Sequence, residues 1–302
     1  MKLHKVEKTE LPVLLEWLKG HLPDSFKLYS NLKFLLRGWL EGWTFYALVD
    51  PDWPHIMAAG EGLAESDKYE FCAFFTDPHA TCVFSPNNQH VRTLLTWPGF
   101  LDWTQPIIFH GVHSDNADVV EEVSQQNGGG TRDHCYAFDV RPEDLVSLPG
   151  TPAGATAPEE RWPVPEDLTL RQLDPDTDTA RAVEVWHRKR RHATQFVNRI
   201  LKHVPSLGLF TKGGRLVAME YGTHWGTMGT LHVDDDYRGR GLAKILTCRL
   251  AHKFYEEGLP AIVNIISTNA VSKTLHTKLG FRPFAKLDWY MHGDIAEYKK
   301  EV

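Results

Sequence analysis

One run, Leu231-His232-Val233-Asp234-Asp235-Asp236-Tyr237-Arg238-Gly239-Arg240-Gly241-Leu242-Ala243, constrains this chain more than any other stretch. It predicts a β-strand, a short acidic link, a glycine-bearing loop and the start of a helix. Behind the loop, Leu242, Ile245, Leu246, Leu250 and Phe254 form one apolar stripe at helical spacing. Such a loop carries backbone N–H groups to the open N-terminus of a helix, where the dipole favours negative charge. Gly239 and Gly241 remove side chains that would hold a ligand off the backbone. Arg238 and Arg240 add cationic donors suited to phosphate oxygens. A pyrophosphate is the guest that fits, although the same turn would also serve as a plain tight connection. The spacing matches neither the three-glycine dinucleotide pattern nor the Gly-Lys-Ser/Thr of a P-loop.

The flanking segments fit a larger unit. Leu207 to Phe210, Leu216 to Tyr221 and Thr227 to Val233 read as an antiparallel meander joined by the Lys212–Arg215 and Thr223–Gly226 turns. Ala261 to Ile266 reads as a buried strand. Thr268 to Leu279 reads as a helix closed by Gly280, with a strand from Phe281.

With these residues in place the chain resembles the GNAT superfamily of acyl-CoA-dependent N-acyltransferases over roughly Leu168 to Asp294. The matching residues are Leu231-x-Val233, Tyr237 to Ala243, and Asn269 leading to Leu275-His276-Thr277-Lys278-Leu279-Gly280-Phe281. A narrower resemblance, to the glycine N-acyltransferase-like family, runs over almost the whole chain. It rests on Leu22 to Tyr29, Leu101-Asp102-Trp103, Trp186-His187 and Gln195-Phe196 to Ile200. The resemblance implies a mixed α/β sheet of the GNAT fold in the C-terminal domain, preceded by a degenerate GNAT-like N-terminal domain.

Composition bounds the domains and the partners. From Leu148 to Pro165 the chain carries Pro149, Pro152, Pro158, Pro163 and Pro165 among Gly, Ala and Thr. That places an N-terminal domain at 1–147, a linker at 148–166 and the C-terminal domain at 167–302. In the first half, Glu10–His21, Asn88–Thr96 and Asn116–Gln126 read as helices. Phe45–Val49, Tyr69–Phe75, Ile107–His110 and Tyr136–Val140 read as strands. That order resembles a worn copy of the second half, without the glycine loop. A length of 302 residues suffices for two cores, and 42% hydrophobic content is a globular value. A net charge of −6 argues against nucleic acid and anionic membrane as partners. Cys72, Cys82, Cys135 and Cys248 show no metal spacing, so no metal site is expected and the thiols read as reduced and intracellular. No apolar run reaches membrane-spanning length, and the first twenty residues, with Glu7, Glu10 and Glu16 and no Arg, make a poor targeting signal. A cytoplasmic or mitochondrial location is expected.

What the resemblance implies for chemistry starts with acyl-CoA as co-substrate, with no tightly bound cofactor. The pantetheine arm would enter a gap between the strands Thr227–Val233 and Ala261–Ile266 and pair with backbone near Leu231 and Val233. The pyrophosphate would sit on Arg238, Gly239, Arg240, Gly241, Leu242 and Ala243, with Asn269 facing the CoA. A protonated amine must lose a proton before attack, which calls for a base. His232 ranks first, facing away from Leu231 and Val233. Glu220 on the preceding strand is the second candidate, and His224 lies at its turn. The base-like Glu of the resembling family aligns with Thr227, and Asn264 stands where some relatives have an acid. His276 stands where many GNAT enzymes carry a Tyr that protonates the leaving thiolate. It shares a polar stripe with Asn269 and Ser272, beside an apolar stripe of Val271, Leu275 and Leu279. His187-Arg188-Lys189-Arg190-Arg191-His192 reads as a solvated helix face, or as a holder of an acceptor carboxylate or the CoA 3′-phosphate. The activity expected is acyl transfer to a small amine such as glycine or another amino acid, in a ternary complex. A non-catalytic acyl-CoA-binding protein and a protein N-acetyltransferase remain alternatives.

Overall fold

The structure, a computed structural model, describes residues 1–39, 43–63, 79–186 and 193–295. The expected strand over Tyr69–Phe75 and the basic run 187–192 lie outside them. The chain forms two compact units. Among the described residues, one comprises 1–136 and 285–295; the other comprises 137–186 and 193–284.

The first unit contains β1 (Lys2–Lys5), α1 (Leu11–Lys19), α2 (Phe26–Leu36), β2 (Trp43–Val49), β3 (Ile56–Leu63), β4 (His79–Thr81), β5 (Val83–Phe84), α3 (Asn88–Leu95), β6 (Ile107–His113), α4 (Ser114–Gln125) and most of β7 (Gly130–Val140). β1, β2, β3 and β5 form one sheet in that order, with antiparallel neighbours throughout. β4 instead runs parallel to β6, through His79↔Ile107, Ala80↔Ile108 and Thr81↔Phe109. β4 and β5 are thus one strand broken at Cys82, its halves committed to different neighbours.

The second unit contains β8 (Leu168–Arg171), α5 (Thr179–Val185), α6 (Ala193–His203), β9 (Ser206–Thr211), β10 (Leu216–Gly222), β11 (Met228–Val233), α7 (Leu242–Glu256), β12 (Ala261–Ile266), α8 (Ala270–Lys278) and the start of β13 (Arg282–His292). Its strands lie in the order β12-β11-β10-β9-β8, antiparallel except for the parallel pair β11–β12. The expected mixed α/β sheet and the three-stranded meander are both present. Along the chain the order β-α-α-β-β-β-α-β-α-β runs twice, with β4 and β5 together standing for one strand.

Two sequence expectations differ from the packing. The Pro-rich stretch is not a free linker: Leu145 and Trp162 are buried, and the Trp162 indole donates to the Val146 carbonyl at 3.0 Å. The two compact units divide near 136/137, and the last strand leaves the second unit at Ala285. Helix α2 was not foreseen, because its inward face carries Lys27, Ser30 and Asn31 beside Phe26, Leu28 and Phe34. There Asn31 Nδ2 donates to both Glu61 oxygens at 2.9 and 2.7 Å, and the Lys27 ammonium lies 3.8 Å from the same carboxylate. Burial pushes Lys27 down to about 8 and Glu61 above the usual carboxylate range.

Candidate active site

The loop after β11 has the form its glycines predict. A single 3₁₀ turn over Asp235–Tyr237 follows Asp234, whose N–H donates to the Val217 carbonyl at 2.9 Å. Gly239 and Gly241 both sit at φ +78°, in the left-handed region that a β-carbon disfavours. Gly241 is the N-cap of α7 and offers no side chain to the first turn. The first backbone bonds of the helix come from Lys244 and Ile245, both to the Gly241 carbonyl. Among the described residues, the N–H groups of 239–243 donate to no protein acceptor, so five successive amides meet the positive end of a fifteen-residue helix. Arg238 and Arg240 are already paired, Arg238 with Asp235 at 2.7 Å and Arg240 with Asp167 at 2.7 and 2.9 Å. Exposed pairs of this kind are worth under about 1 kcal/mol and exchange readily for a phosphate.

Beside the loop, β11 carries a local defect. Across from β10 the register runs Gly222↔Met228, Tyr221↔Gly229, then Met219↔His232 and Ala218↔Val233. Thr230 and Leu231 therefore oppose Glu220 alone, and Thr230 takes φ +50°. This is a β-bulge, which bends and twists the strand that contains it. On its other side β11 is registered with β12 at Met228↔Val263, and among the described residues no later pair succeeds it. The five residues from Gly229 to Val233 are all half-buried, as a groove wall would be.

Register also sorts the side chains by face. A β-carbon on Gly222 would meet Phe254 of α7 at 2.7 Å, and Glu220, two residues away on the same face, accepts a hydrogen bond from Thr247 of α7 at 2.8 Å. Directly paired residues share a face, so Met228 and Val263 look towards α7. Met219, Tyr221, His232 and Asn264 look the other way.

That sorting separates the base candidates. Glu220 is buried under α7, and burial pushes its carboxyl up to about 8, so it is protonated at neutral pH. It lies on the wrong face and in the wrong charge state for a base, which corrects its candidacy. Thr227, where the resembling family has a Glu, is buried with its hydroxyl 2.8 Å from that of Thr223. His224 packs edge-on against Phe196 and Trp225, with Phe196 stacked on Trp186. His232 donates from Nε2 to Asp234 Oδ1 at 3.1 Å, which leaves the Nδ1 lone pair for other work. Arg181 and Arg215 hold the two Asp234 oxygens at 2.5 and 2.6 Å. Burial alone would raise Asp234, but the bonds from Arg215, His232 and Arg181 outweigh it and hold the carboxyl below its usual range.

On α8 both stripes start exposed, at Asn269 and Val271, and turn inward towards the C-terminal end. Val271 is 81% exposed, whereas His276 and Leu279 are buried. Asn269 caps the helix, accepting the Ser272 N–H at 3.0 Å, so its amide serves the backbone. His276 Nδ1 lies 2.8 Å from the Ser272 carbonyl and therefore carries the proton. Its Nε2 is buried with no partner among the described residues, and burial holds the imidazole below its usual pKa. In this tautomer Nε2 accepts a proton and has none to give. The thiolate-donor role expected from the resembling family's Tyr therefore requires His276 to take up a proton first.

One further group stands out on the face shared with His232. Asn264, on β12 one residue past the Met228↔Val263 pair, buries both Nδ2 and Oδ1 with no partner among the described residues. An orphaned polar group costs about 1–3 kcal/mol, which a ligand would relieve. The Asn264 signal in sequence was a lone amide inside Ile262-Val263-Asn264-Ile265-Ile266. The bulge at Thr230 and the hub around Asp234 had none, since β-branched Thr rarely takes positive φ and Arg181 and Arg215 are remote in sequence.

Comparison with known proteins points in the same direction. Residues 206–290 match the family described as FR47-like protein. The chain is 21% identical to the glycine N-acyltransferase-like protein Keg1 of Rattus norvegicus over 90% of its own length and 92% of the relative's. A Drosophila protein of known structure superposes with a TM-score of 0.77 at 16% identity, over 96% of this chain and 98% of the other. The GCN5-related N-acetyltransferase of Sphaerobacter thermophilus superposes with a TM-score of 0.55 at 15% identity, over 97% and 95%.

Proposed function

We propose that this chain, which has the fold of the GCN5-related N-acetyltransferases and an FR47-like region at 206–290, transfers an acyl group from acyl-CoA to the amine of a small acceptor such as glycine or another amino acid. The observation that carries this reading is the loop of five unpartnered N–H groups beside a strand pair that opens past Met228↔Val263. The loop supplies the pyrophosphate cradle through Arg238, Gly239, Arg240, Gly241, Leu242 and Ala243. The unpaired backbone near Leu231 and Val233 takes the pantetheine arm as an added strand.

Two imidazoles match the two protons that must move. The acceptor binds as an ammonium, and His232 Nδ1 takes its first proton, with Asp234 fixing the tautomer. The free amine then attacks the thioester carbon, and the adduct nitrogen loses its second proton to His276 Nε2. As the C–S bond breaks, its electron pair leaves on sulfur and His276 returns that proton to it. The products are the amide and CoA thiol, with one proton released to solvent. Transfer is direct: Cys82, Cys135 and Cys248 are buried, and burial pushes the Cys248 thiol up to about 12, so none of these three is an activated nucleophile.

Thr227, bound to Thr223 where a base would stand, favours one other reading: an acyl-CoA-binding protein without turnover. Free-thiol release from a panel of acyl-CoAs against glycine, other amino acids and simple amines separates the two. Amine-dependent thiol release supports the transferase; tight acyl-CoA binding with no release under any amine supports the binding protein.

A further inference from the structure

We propose that Asn264 is a catalytic residue that clamps the tetrahedral adduct through both atoms of its carboxamide. The inference rests on the acyltransferase reading above. Its starting point is a pair of orphaned atoms: Nδ2 and Oδ1 of Asn264 are both buried, and neither has a partner among the described residues. The residue stands on β12 immediately past the last pair with β11, on the face opposite α7 that also bears His232. It is therefore placed where the strands part and on the side where the base candidate waits.

The chemistry of the amide selects what it binds. A primary carboxamide holds a donor and an acceptor on one carbon. When the amine attacks, the thioester C=O π pair moves to oxygen, and the same carbon then carries an oxyanion and a protonated nitrogen. Nδ2–H donates to the oxyanion while Oδ1 accepts one N–H of the attacking nitrogen, closing a ring of two hydrogen bonds. The second N–H stays available to His276. Collapse restores the C=O bond, expels the thiolate and leaves a planar amide. In the ground state the carbonyl oxygen and the amine nitrogen are not joined to one carbon. Both bonds reach full strength only in the adduct, which is the condition for raising kcat rather than lowering KM.

The test uses the full-length protein with the acyl-CoA and amine pair that gives fastest thiol release in the panel. Asn264→Asp keeps the size and loses the donor; Asn264→Ser and Asn264→Ala remove both contacts. Thermal melting and calorimetric acyl-CoA affinity establish that each variant is folded and loaded. The expected result is a fall in kcat of about 10²–10³-fold, the usual loss for one oxyanion donor, with acyl-CoA affinity within about twofold of the parent. A folded variant with parental kcat, or a loss confined to KM or to acyl-CoA affinity, overturns the assignment of Asn264 alone. A parent chain that binds acyl-CoA and releases no thiol overturns the transferase reading together with it.

Discussion

At the scale of single residues, charge state decides role. His276 was legible in sequence as a titratable group at the family's Tyr position, but its direction of proton transfer was not. That direction is set by a bond to its own helix, Nδ1–H to the Ser272 carbonyl, together with burial that holds the imidazole neutral. The same two features fix the sign of the pH dependence. As pH falls, Nε2 gains a proton, the acceptor is lost and turnover drops. Because the pKa lies below the ordinary 6.5, this limb of the kcat profile should fall below pH 6.5, and it should vanish in His276→Ala along with about 10²-fold of rate. Measuring kcat against pH checks both. An acid limb above 6.5 that survives the substitution would remove His276 from the proton path. The glycines behaved differently. Gly239 and Gly241 were readable because only glycine adopts φ +78° without strain, whereas Thr230 at φ +50° breaks the rule and left no trace in the residue pattern.

Whole elements were legible wherever one face is apolar. Helix α7 announced itself through Leu242, Ile245, Leu246, Leu250 and Phe254, all of which are buried. Helix α2 did not, since a hydrophobic stripe interrupted by Lys27, Ser30 and Asn31 does not read as a stripe. Asn31 and Lys27 are tolerated because both lie against the Glu61 carboxylate. A buried pair of this kind is costly to break and cheap to replace as a whole. Lys27→Met alone should therefore destabilise the protein by about 3–5 kcal/mol at pH 8, since it strands the Glu61 carboxylate. The double variant Lys27→Met with Glu61→Leu should recover most of the loss. Denaturant melts of the three proteins measure it, and a double variant no better than the single one would show that the pair itself is needed. α8 gives the converse lesson. Its apparent apolar stripe, Val271 to Leu279, is exposed at one end, and the imidazole is buried along with Leu279.

At the scale of the whole chain, the repeated order of elements makes the two loops directly comparable. Both units break or bulge the strand before the loop, at Cys82 in one and at Thr230 in the other. The loops themselves differ in one physical respect. In the first unit the loop amides are already occupied: Ser85 N–H goes to Asn116 Oδ1 at 3.1 Å, Asn87 N–H to Ser85 Oγ at 3.1 Å, and Gln89 N–H to Asn87 Oδ1 at 2.9 Å. In the second, the amides of 239–243 are given to nothing in the protein among the described residues. An anion arriving at the first loop must displace side chains that are already bonded; at the second it meets open donors. One acyl-CoA should therefore bind per chain, at the second unit. Calorimetric titration with acetyl-CoA should give a stoichiometry near one. Gly241→Val, which forces a β-branched side chain into φ +78° beside the cradle, should weaken that binding at least tenfold, about 1.4 kcal/mol. No weaker second site should then emerge from behind it. A stoichiometry near two, or unchanged affinity in a folded Gly241→Val protein, would mean that the capped loop of the first unit opens to anions after all, or that CoA does not use the glycine loop.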